Sequence, residues 1–107
     1  MTQVTISEAD GKAVIDIEGH AGFNPGNDIV CAAISTLSDQ LNNMLLAMSE
    51  KGQLEKIFIK RSDGHHHAEI CIDKAYDREW QAVKEMALTG FRMVSESYPD
   101  YVKVHAS

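Results

Sequence analysis

Cysteine is scarce in this sequence. Cys31 and Cys71 are the only two among 107 residues, and their contexts share none of the spacing of a metal or redox pair motif. They read as free thiols in a reducing compartment, not as a disulfide scaffold. Proline is as rare, with Pro25 and Pro99 alone. No repeat, linker or low-complexity tract divides the chain. No apolar run approaches the roughly 20 residues that a membrane helix needs. The opening Met1-Thr2-Gln3-Val4-Thr5-Ile6 lacks the basic and apolar segments of a secretion signal. Basic residues are outnumbered, 10 against 16 acidic, for a formal net charge of -6. Without a basic stripe, direct nucleic-acid binding is not expected. The expectation is a cytoplasmic protein without membrane contact.

What is present is a pattern of short strands and two long helices. With 44% hydrophobic residues, the chain has room for a single domain, residues 1–107, around one core. Val4 to Glu8 and Ala13 to Gly19 read as strands. In the second, Ala13, Ile15 and Ile17 alternate with Val14, Asp16 and Glu18. Asp10-Gly11 between them signals a hairpin turn. Val30, Ile34, Leu37, Leu41, Leu45 and Met48 recur every three or four residues, which predicts a helix to about residue 50, ended by Gly52. Leu54–Arg61 and His65–Asp73 form a second hairpin around Ser62-Asp63-Gly64. A second helix is predicted from about Tyr76 to Ser97, with Trp80, Val83, Ala87, Gly90, Phe91 and Val94 on one face, and Pro99 stops it. Tyr101 to Val104 is a last short strand. The fold class is therefore α+β, in the order ββαββαβ, with two helices packed on one mostly antiparallel sheet.

The chemistry concentrates between the second strand and the first helix. His20 ends the strand, a loop with Gly22, Pro25 and Gly26 follows, and Cys31 falls in the first helical turn. A helix start favours the reactive, ionised form of a thiol, and a histidine nearby strengthens that effect. At about 100° per residue, Asp28, Cys31, Ser35, Ser38 and Asn42 share a polar strip beside the apolar stripe. Cys31 therefore sits at the edge of the core, where a substrate can reach it. The bland alternative is a small buried thiol at a helix–sheet boundary. Asp28 has two readings, which can hold together: a helix cap, and the carboxylate that orients His20. Backbone N–H groups at the helix start are the candidate oxyanion donors.

A rival cluster lies on the second hairpin. His65, His67, Glu69 and Cys71 alternate onto one strand face, and imidazole, carboxylate and thiolate all bind zinc. The reading preferred is a solvated hairpin face, with no metal and no cofactor.

The stretch Gly19-His20-Ala21-Gly22, followed by Gly26-Asn27-Asp28-Ile29-Val30-Cys31-Ala32-Ala33-Ile34-Ser35, resembles the signature of the bacterial ribosomal-processing cysteine protease family, Prp. The length and element order resemble that family across the whole chain. The resemblance implies a cysteine endopeptidase that removes the N-terminal extension of large-subunit ribosomal protein twenty-seven, the precursor of that protein being its peptide substrate. It implies a homodimer, with His20 and Cys31 as the catalytic dyad. The motif's Asp and Ser fall on Asp28 and Ser35, and the loop carrying Gly22, Phe23 and Gly26 is implied to order around substrate. The alternative is a non-catalytic dimeric ribosome-assembly or peptide-binding module.

Overall fold

Strands whose alternate residues are apolar must lay one face on a core, and the helices supply it. A computed structural model describes residues 1–107. The elements are β1 (Thr2–Ala9), β2 (Lys12–Glu18), α1 (Ile29–Glu50), β3 (Leu54–Ser62), β4 (His65–Ile72), α2 (Asp77–Ser97) and β5 (Val102–Ala106). The order ββαββαβ is the expected one. One turn of 3-10 helix, Lys74–Tyr76, precedes α2, where the Asp73 carboxylate accepts the Ala75 N–H at 2.9 Å. The last strand starts one residue late, because the Tyr101 N–H is held in a turn by the Tyr98 carbonyl at 3.0 Å.

The five strands form one sheet in the order β3-β4-β2-β1-β5. All neighbours are antiparallel except β1 and β5, which run parallel. The two hairpins account for the antiparallel pairs β1–β2 and β3–β4. Each helix is instead a crossover: α1 carries the chain from β2 past β4 to the edge, and α2 carries it from β4 to the opposite edge. At the first hairpin, Asp10 and Gly11 both have positive φ, 53° and 77°, the twist that suits a two-residue turn.

Val4, Ile6, Ala13, Ile15, Ile17, Ala68, Ile70 and Ile72 bury one face of the sheet. Against it pack Val30, Leu41, Leu45 and Met48 of α1 and Trp80 and Phe91 of α2. Gly90 of α2 faces α1, where an added β-carbon would lie 2.8 Å from a Leu37 methyl. The opposite face, bearing Asp16, His65, His67 and Glu69, stays partly or fully exposed. No helix is long and apolar enough to cross a membrane.

Candidate active site

Two wall elements and a strand end enclose a cleft of about 200 Å³. Cys31, Ile34, Ser35 and Ser38 line it from α1, and Arg61 to His66 line it from the β3–β4 hairpin. Gly19 and His20, just past β2, close one end. The crossover explains this juxtaposition: β2 ends where α1 begins, and β4 lies beside β2 in the sheet. The Gly19 N–H is held by the Gly64 carbonyl at 2.7 Å, which pins the strand end to the hairpin turn.

Cys31 is half-buried and in the first turn of α1. Its sulfur accepts the Ala21 N–H at 3.3 Å. Ala21 itself is buried, and the contact is part-buried. His20 lines the same cleft, but its imidazole makes no hydrogen bond to the sulfur. The ring rests on the hairpin turn, where a β-carbon at Gly64 would come within 2.7 Å of Nε2. Gly64 also has a positive φ of 71°, so both the turn and the histidine require glycine there. The His20 side chain is 64% exposed and has Asp63 Oδ2 at 3.9 Å.

Asp28 is the helix cap. Oδ1 accepts the N–H groups of Val30 and Cys31, both at 2.9 Å. Oδ2 accepts those of Phe23 at 2.9 Å and Asn24 at 3.3 Å. Four backbone donors, the Cys31 N–H first among them, hold the Asp28 carboxyl below the usual carboxylate range. The capping role of Asp28 is thus present in the structure. With both oxygens occupied by backbone, the carboxylate beside His20 is Asp63 instead.

The same contacts engage the expected oxyanion donors. The Val30 and Cys31 amides are taken by Asp28, and the Ala32 amide by the Asp28 carbonyl at 3.0 Å. The backbone donor that meets the sulfur is Ala21.

The expected substrate loop divides. Ser35 lines the cleft, whereas Gly22, Phe23 and Gly26 do not. The Phe23 ring stands edge-on to Tyr98 and Tyr101, with both ring centroids at 5.2 Å. That contact docks the loop on the C-terminal segment, a partner that no local pattern announced. Gly22 and Gly26 have φ of 73° and 91°, which lets the loop reverse twice before the helix.

The polar strip of α1 also ends differently. Ser38 and Asn42 are buried, not solvated. The Ser38 hydroxyl donates to the Ile34 carbonyl at 2.8 Å, and Asn42 Oδ1 accepts from His66 Nε2 at 2.7 Å. Burial, assisted by the Arg61 charge, pushes His66 below the ordinary histidine value. Its other ring nitrogen, Nδ1, is buried without a partner. Sequence reasoning missed this floor and the whole hairpin wall. Ser62-Asp63-Gly64 signalled a turn, but nothing local signalled that it faces His20.

The model of the cysteine protease Prp family matches residues 1–103. The chain belongs to this family. It is thereby a thiol protease of the Prp type, with the fold of the Prp enzymes. A Streptococcus mutans protein, SMU.848, is 30% identical over 99% of this chain and 93% of its own, with a TM-score of 0.69. An essential ribosomal processing protease Prp from S. aureus, solved with a covalently linked product peptide, is 24% identical over 100% of both chains, with a TM-score of 0.76. The same S. aureus protease with a substrate peptide gives a TM-score of 0.71 at 24% identity over 100% of both chains. No curated protein sequence matches the chain.

Proposed function

We propose that this chain is a cytoplasmic endopeptidase that removes the N-terminal extension of large-subunit ribosomal protein twenty-seven, with Cys31 as nucleophile and His20 as its acid–base partner. The observation that carries the assignment is the cleft shared by His20 and Cys31, with the Ala21 N–H on the sulfur. The S. aureus relatives, a ribosomal processing protease with substrate and covalently linked product peptides, support the substrate class.

Sγ of Cys31 attacks the scissile carbonyl carbon after His20 takes the thiol proton. The carbonyl oxygen becomes an oxyanion within reach of the Ala21 N–H, a donor fixed in place before substrate arrives. Collapse of the tetrahedral adduct breaks the C–N bond, and His20 hands its proton to the departing amine. Water then adds to the thioester with His20 taking its proton; the C–S bond breaks, the peptide acid leaves, and His20 returns the proton to the sulfur. The cycle requires the imidazole to leave Gly64 and meet the sulfur. Asp28 acts on geometry, by holding the Cys31 and loop amides together. Ser35 borders the bound peptide, and the loop with Gly22, Phe23 and Gly26 orders over it.

A homodimer is part of this reading. Exposed Met44 and Met86 flank an apolar groove between α1 and α2, with Leu37 and Leu41 at its base. That surface is available for a second copy, and light scattering measures the state directly.

The decisive experiment incubates the protein with the host's own precursor and follows loss of N-terminal residues by mass spectrometry. Wild type shortens the precursor, while Cys31→Ala and His20→Ala leave it whole with their fold intact by circular dichroism. Binding without cleavage by the wild type would favour a peptide-binding module. Cleavage by Cys31→Ala overturns the assignment of the nucleophile.

A further inference from the structure

The sheet face turned away from both helices carries a convergence of donor atoms that peptide hydrolysis does not use. Asp16 of β2 pairs directly across the ladder with His67 of β4. His65, two residues earlier on β4, projects from the same face. One oxygen of Asp16, Oδ1, meets His65 Nε2 at 2.7 Å and His67 Nδ1 at 2.8 Å. The three ligand atoms all lie within 4.8 Å of one another. We propose that Asp16, His65 and His67 form a binding site for a first-row divalent metal ion of the zinc type.

The donor set selects the ion. Two imidazoles and one carboxylate suit Zn²⁺ and its neighbours, whereas Mg²⁺ and Ca²⁺ call for oxygen ligands throughout. Ligand bonds of about 2.0–2.2 Å in a tetrahedron set donor atoms about 3.3 Å apart. The present contacts to Asp16, 2.7 and 2.8 Å, are only slightly shorter than that spacing. The fourth position is left to water.

A second feature has the form of a metal site. The far nitrogen of His67, Nε2, is 2.9 Å from Glu69 Oε2. A carboxylate on the outer nitrogen fixes ring orientation and tautomer, as partners of metal-bound histidines do. The ion takes Nδ1 of His67 and Nε2 of His65 as lone-pair donors and displaces any proton held there to solvent. His67 keeps its Nε2–H on Glu69. Around the cluster, Glu18 stands opposite His65, and Lys60 of β3 stands opposite His67. Asp16, Glu18 and Glu69 border the two imidazoles, with Lys60 beside them and Lys12 and Lys56 further along the face, opposite Cys71. The His65 and His67 side chains are 45% and 28% exposed, so an ion enters without any opening of the fold.

The site joins β2 to β4, strands far apart in sequence, and an ion there would raise the melting temperature. The test strips the protein with a chelator and titrates Zn²⁺ by calorimetry. One equivalent is expected for wild type and for Cys31→Ser, and no heat is expected with Mg²⁺. Asp16→Asn and His67→Gln should each weaken binding more than tenfold, and Glu69→Gln by about tenfold. Nitrogen NMR of the wild type needs no variant: Zn²⁺ should move the imidazole signals of His65 and His67. If those signals stay fixed, or Zn²⁺ binding is lost in Cys31→Ser and kept in Asp16→Asn, the site does not exist.

Discussion

The backbone N–H of Ala21 meets the sulfur of Cys31 at 3.3 Å, so the residue after the histidine, and not its ring, touches the thiol. The contact comes from the tight return of the Gly22–Asn27 loop, which brings the end of β2 back onto the start of α1. In the proposed mechanism it supplies a backbone donor beside the attacking sulfur.

Replacing the residue 21 amide by an ester, through semisynthesis, keeps the shape and removes the donor. On the oxyanion assignment, kcat should fall about 10²–10³-fold, as for loss of one such donor elsewhere. KM should change little. Equal loss in both parameters would mean that the amide only shapes the cleft.

Asp28 holds two loop amides and two helix amides with its two oxygens. Asp28→Ala releases all four, and kcat/KM should drop on the order of 10²-fold through misplacement of the reacting groups. Asp28→Asn keeps Oδ1 as an acceptor for Val30 and Cys31 but offers an NH₂ to the Phe23 and Asn24 amides. It should retain the helix and loosen the loop, with an intermediate rate.

Gly64→Ala places a methyl 2.7 Å from His20 Nε2 at a φ of 71°. The left-handed backbone costs about 1–2 kcal/mol, and the displaced ring adds to it. Urea melts should show a smaller loss for the same change in a His20→Ala background, because only the backbone part remains. Identical losses in both backgrounds would show that the ring does not rest on Gly64.

Glu8 anchors α2 to the sheet. Its carboxylate accepts the buried Trp80 indole N–H at 2.7 Å and pairs with Lys84 Nζ at 2.9 Å. Burial raises the Glu8 carboxyl, but hydrogen bonds from Lys84, Trp80 and Gln81 outweigh it and leave the group below its ordinary 4.5. With the folded value below the unfolded one, the contribution is complete above about pH 4.5 and is lost as the pH falls toward the folded value. Glu8→Ala should cost about 1–3 kcal/mol at pH 7 by stranding the indole donor. It should also flatten the acid limb of the stability curve, measured by urea melts from pH 7 to 3.

The sequence determined the order of elements, because period-two and period-3.6 patterns are local and their ends are marked by Gly11, Gly52, Gly64 and Pro99. It also singled out His20 and Cys31, because a glycine loop between a strand end and a helix start is written in consecutive residues. Only the tertiary structure decided that β4 lies beside β2, and with it the hairpin wall, the rest of His20 on Gly64 and the meeting of Asp16 with His65 and His67. Those pairings join residues more than 40 positions apart, through the path that α1 takes across the sheet. The capping contacts of Asp28 were likewise visible only in space, since a cap and an orienting carboxylate occupy the same place in a sequence and differ in which hydrogen bonds they make.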